Sequence, residues 1–228
     1  MRTPAPSTLL ACSTTALLFG VFAAGCGGGL KYRVDDSAMD AIPAGDRQTV
    51  FAAQNELEIA KSETRTATTQ LESLDRDTEI AKTEKQQADL EVEKAIAEQE
   101  GAVASRDENR AASSKHAKDT ADLGVKAAEA KLSWLDEKKD WLKASLNAAN
   151  AHVGAAQAKV ELEKAKVAQQ KGIKPDSDFS VSNYQSQFND QNDDWQSAKK
   201  KAASEEKDAK EAEKKWQDLT AQVQKMKT

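Results

Sequence analysis

One spacing constrains this chain more than any other feature. Counting in sevens from Ala53 gives Ala53, Ala60, Ala67, Leu74, Ala81, Ala88, Ala95 and Ala102. Three residues before each stand Val50, Leu57, Thr64, Leu71, Thr78, Lys85, Val92 and Gln99. A 3-4 repeat sustained this long is the a/d pattern of a coiled coil, with alanine at d. Alanine lets a partner backbone come close but buries little. A methyl group contributes about 0.8 kcal/mol, against about 1.5–3 kcal/mol for a fully buried leucine. Such a helix needs length to hold its partner.

Two further seams follow. Val125, Leu132, Lys139, Leu146, Val153, Val160 and Val167 are seven apart, with Ala128, Leu135, Leu142, Ala149, Ala156 and Glu163 as their d partners. The third runs Val181, Phe188, Trp195, Ala202, Ala209, Trp216 and Val223, with Tyr184, Gln191, Ala198, Glu205, Ala212, Leu219 and Met226 at d. Trp195 and Trp216 therefore belong to a buried stripe. Trp134 and Trp141 lie off the second seam, at position c. They form a second stripe that either packs on the third helix or marks a surface for another protein.

Composition agrees with long helices rather than a compact core. Leu, Ile, Val and Phe make up about 16% of the chain, below the level usual for globular domains. Charged residues are 31%, and the formal charge is −5. The two signs are interspersed, with no basic block of the kind that binds nucleic acid.

Breaks divide the seams. In "QQKGIKPDSDFS", Gly172 stands where a helix C′ residue belongs and Pro175 follows, with Asp176, Asp178 or Ser180 as the next cap. The earlier break shows only as a phase error. Extending the first seam puts a at 106, 113 and 120, while extending the second backwards puts it at 111 and 118. That offset is neither a stutter nor a stammer, and it predicts a turn near 108–118. Pro43 or Asp46 opens the first helix. The expectation is an all-α fold, an elongated antiparallel three-helix coiled coil over 46–228, with helices at about 46–108, 118–171 and 180–226. The alternative joins the first two into one helix of about 120 residues that packs in a homo-oligomer rather than a monomeric bundle.

The N-terminus adds a location. Arg2 precedes an uncharged, mostly apolar run from Leu9 to Ala24, and Ala23, Ala24 and Gly25 lead into Cys26. This layout resembles a bacterial lipoprotein signal ending at Cys26. Cys12 has no apolar run before it. The resemblance implies removal of residues 1–25 and a covalent diacylglycerol on Cys26. Without an aspartate at the next position, it implies an outer membrane facing the periplasm. Residues 26–45, with Gly27, Gly28 and Gly29, read as a flexible tether. Removing residues 1–25, whose only charge is Arg2, leaves −6.

Chemistry is sparse. His116 and His152 are each alone, and no metal, nucleophile or phosphate motif occurs. Asp176, Asp178 and Ser180 begin like a calcium loop, but Val181 replaces its glycine and Gln187 its final glutamate. The chain reads as a non-enzyme without catalytic residues, metal or cofactor beyond the lipid. The expected role is a lipid-anchored scaffold of the cell envelope, held to the membrane and contacting another envelope protein. The plan of lipid, alanine-rich helix and near-terminal Lys227 is also similar to the murein lipoproteins, which implies a tether to peptidoglycan. A holdase chaperone and an export-machine adaptor are further alternatives.

Overall fold

The computed structural model describes residues 29–175 and 177–228. Cys26, expected to carry lipid, the expected signal segment 1–25 and Asp176 lie outside these residues. Three long helices dominate: α2 (Gln48–Ala104), α3 (Glu108–Gln170) and α4 (Val181–Lys227). A short α1 (Asp36–Asp40) and a 3-10 turn (Ala44–Arg47) precede them. At 1.5 Å per residue the long helices measure roughly 85, 95 and 70 Å. The chain is an all-α helical bundle.

All three seams are inside. On α2, Val50, Ala53, Ala60, Ala67, Leu74, Ala81, Ala95 and Ala102 are buried, all at a/d positions of the first seam, and the remaining a/d positions are half-buried. On α4, Tyr184, Ala209 and Val223 are buried, and every other a/d position of the third seam is at least half-buried.

α3 carries two seams. Leu135, Leu142, Ala149, Ala156, Val160 and Val167 follow the expected one. Ala127, Ala130, Ala144, Ala155, Ala158, Leu162 and Ala165 are also buried, at c and f of the same heptads. On a 3.6-residue helix, a/d and c/f lie on roughly opposite sides. α2 packs on the first stripe and α4 on the second, and α2 and α4 do not pack on each other. The bundle is therefore a layer with α3 in the middle.

The first turn is shorter and earlier than the heptad phase suggests. Residues 108–117, placed in the expected turn at 108–118, are helical, and the reversal takes only Ser105, Arg106 and Asp107. Arg106 adopts φ 57°, the left-handed conformation that ends many helices. Asp107 then caps α3 by accepting a hydrogen bond from the Arg110 backbone N–H at 3.0 Å. The second turn follows the sequence. Gly172 has φ 69°, its N–H donates to the Gln169 carbonyl, and the Ile173 N–H donates to the Ala168 carbonyl. These paired bonds are the Schellman closure of a helix. Ser180 precedes α4, but its hydroxyl bonds to the Ser182 hydroxyl at 2.7 Å and caps no backbone group.

The expected tether is largely folded. Val34, Met39 and Ile42 are buried against Leu162, Ala165, Val167, Ala168 and Tyr184 at the base of the rod. The sequence hid this because the segment is too short to show a period. Its extended backbone is satisfied by side chains, as buried polar groups require. Gln187 accepts from the Tyr32 N–H at 2.9 Å and donates to the Tyr32 carbonyl at 3.0 Å. Glu161 accepts from the Val34 N–H at 2.7 Å, and the Tyr184 hydroxyl donates to the Arg33 carbonyl at 3.2 Å. Lys164, nearly buried, bridges Asp36 at 2.7 Å and Glu161 at 3.1 Å. Burial pushes the Lys164 ammonium down, but hydrogen bonds to Asp36 and Glu161 outweigh it and hold its pKa above the ordinary lysine value.

Candidate functional site

The broad face of the layer that carries His152 is its chemically distinctive surface. The g positions of α2 read Glu56, Glu63, Gln70, Asp77, Glu84, Glu91 and Glu98. Those of α3 read Lys131, Lys138, Ser145, His152, Lys159 and Lys166. The antiparallel hairpin sets one row against the other. Lys131 pairs with Glu84, His152 with Glu63 and Lys159 with Glu56, and in each pair the residue numbers sum to 215. The same register places Lys138 opposite Asp77. Pairs with an exposed partner, such as Glu84 and Glu63 here, contribute little individually, at most about 1 kcal/mol where both groups meet solvent. Their repeated sign nevertheless specifies one alignment of the two helices. On the opposite broad face, Lys139 donates to Asp75 at 2.7 Å. That bond lowers the Asp75 pKa and raises that of Lys139.

His152 joins all three long helices. Its Nδ1 lies 2.7 Å from a Glu63 carboxylate oxygen on α2. An ionised carboxylate only accepts, so Nδ1 carries the proton. The imidazole stacks on Trp195 of α4, with centroids 4.2 Å apart and planes 6° from parallel. Sequence reading left His152 isolated, because Glu63 and Trp195 meet it only through the fold.

The tryptophans divide. Trp134 stacks on Trp216 of α4 at 4.7 Å with planes 10° apart. The Lys138 ammonium lies 4.8 Å from the Trp134 ring. Trp134 thus belongs to the α3–α4 seam. Trp141 is half-buried beside Leu74, Ala81, Leu135 and Leu142. It also lines a cleft of about 350 Å³ walled by Gln70, Leu74 and Asp77 of α2 and by Glu206, Ala209 and Glu213 of α4. The structure brings both tryptophans to one face and leaves Trp141 at an opening.

That cleft is one stretch of a longer groove. Toward the base, a cleft of about 560 Å³ lies between Ile59, Glu63 and Ala67 of α2 and Trp195, Lys199 and Ala202 of α4. Toward the hairpin tip, one of about 430 Å³ is bounded by Glu91, Glu98, His116, Gly124, Val223 and Lys227. The groove exists because α2 and α4 flank α3 without meeting. Sequence reading missed it. The available signal was the second alanine stripe on α3, which marks a helix with neighbours on two sides.

Among the described residues, no three His, Cys, Asp or Glu side chains converge as a metal site. No described helix is long and apolar enough to cross a membrane. Comparison with family models, curated proteins and solved structures finds no match.

Proposed function

We propose that this protein is a lipid-anchored strut of the cell envelope. In this reading Cys26 carries the lipid, the rod faces the periplasm from the outer membrane, and the protein acts through contacts with other proteins. The carrying observation is the folded strap. Residues 32–42 are pinned to the base of the rod by Leu162, Tyr184, Gln187 and Lys164. A lipid at Cys26 is only six residues from Tyr32, roughly 20 Å at full extension. The base is then held close to the bilayer, and the 105–107 turn projects about 95 Å from the base, the length of α3.

The test is Cys26→Ser with mass spectrometry of the mature N-terminus. The expected result is an uncut precursor that keeps residues 1–25 and carries no lipid. Processing identical to wild type would refute the anchor.

A wall tether is the second reading, favoured by one observation. α4 runs from the base toward the tip and carries Lys227 into the distal cleft. Its C-terminus is thus about 70 Å from the base. Digested cell wall should then yield muropeptides bearing a C-terminal fragment, and their absence would remove this reading.

A further inference from the structure

We draw no further inference here: the strongest candidate, the groove between α2 and α4 lined by Trp141 and Trp195, sets Lys138 and Lys210 beside Asp77 and Glu213, and nothing in the structure shows what covers it.

Discussion

Leu135→Ala is the sharpest test of what holds α2 on α3. Leu135 is 2% exposed and is packed among Leu74, Ala81 and Leu142. The substitution deletes three carbon atoms, about 2.4 kcal/mol at 0.8 kcal/mol for each methylene-sized group. A cavity cost is added, because Leu74, Ala81 and Leu142 are held by their own helices and fill the space only in part. Together these give about 4 kcal/mol. For a chain of this length that lowers the melting temperature by about 8–16 °C. Leu90→Ala is the control: Leu90 is 62% exposed, so its loss should change stability by less than about 0.5 kcal/mol. Both are measured by urea and thermal unfolding followed at 222 nm. If Leu135→Ala costs no more than Leu90→Ala, the Leu74–Leu135–Leu142 cluster is not what joins the two helices.

Five further outcomes can be checked by the same unfolding assays or by hydrogen exchange. Gly124 lies inside α3 with open space around its missing Cβ, so Gly124→Ala should stabilise by about 0.5–1 kcal/mol. Gly172, at φ 69°, should behave oppositely, with Gly172→Ala costing about 1 kcal/mol. Arg106→Gly should leave the fold unchanged and stabilise by up to about 1 kcal/mol, since glycine accepts φ 57° without strain; any loss would mean that the Arg106 side chain contributes a contact. The Lys139 hydrogen bond lowers the Asp75 pKa from 3.8, so its contribution is complete above 3.8 and disappears as pH falls through the lower folded value. Urea midpoints of wild type and Asp75→Asn should therefore differ at neutral pH and converge in strong acid. Amide protection in α2 should fall from Leu74 toward Ala102, because the distal seam contains Ala81, Ala88, Ala95 and Ala102 and no leucine at d.

The seams were legible because a heptad repeat reports burial directly, and a 57-residue helix gives the repeat room to declare itself. Gly172 was legible for a different reason, since a left-handed residue is cheapest as glycine. The first turn was misplaced because Arg106 occupies the left-handed position instead, so no glycine or proline punctuates it. Its location was still written in the charges. Setting the acidic g row of α2 against the basic g row of α3 gives pairs summing to 215, and such a hairpin reverses near residue 107. The strap was hidden because short irregular segments are held by distant side chains such as Gln187 and Glu161, which no local pattern reveals. The groove was hidden because it results from a helix packing on two sides, a property of pairs of stripes.

That two-sided packing also explains why the groove runs much of the rod's length. Three helices around a common axis would each turn one stripe inward and close the centre. α3 instead buries a/d against α2 and c/f against α4, so its neighbours are held apart by the width of the helix between them. Stacked aromatic pairs keep this spacing on the α4 side, with Trp134 on Trp216 and His152 on Trp195. If bulky rings filled the α2 side as well, the open face would be largely covered. Alanine at Ala60, Ala67 and Ala81 instead draws α2 close to α3 and leaves the outer stripe of α2, with Ile59 and Ile80, without a neighbour. The same small residues that weaken each layer of the first seam keep the groove open.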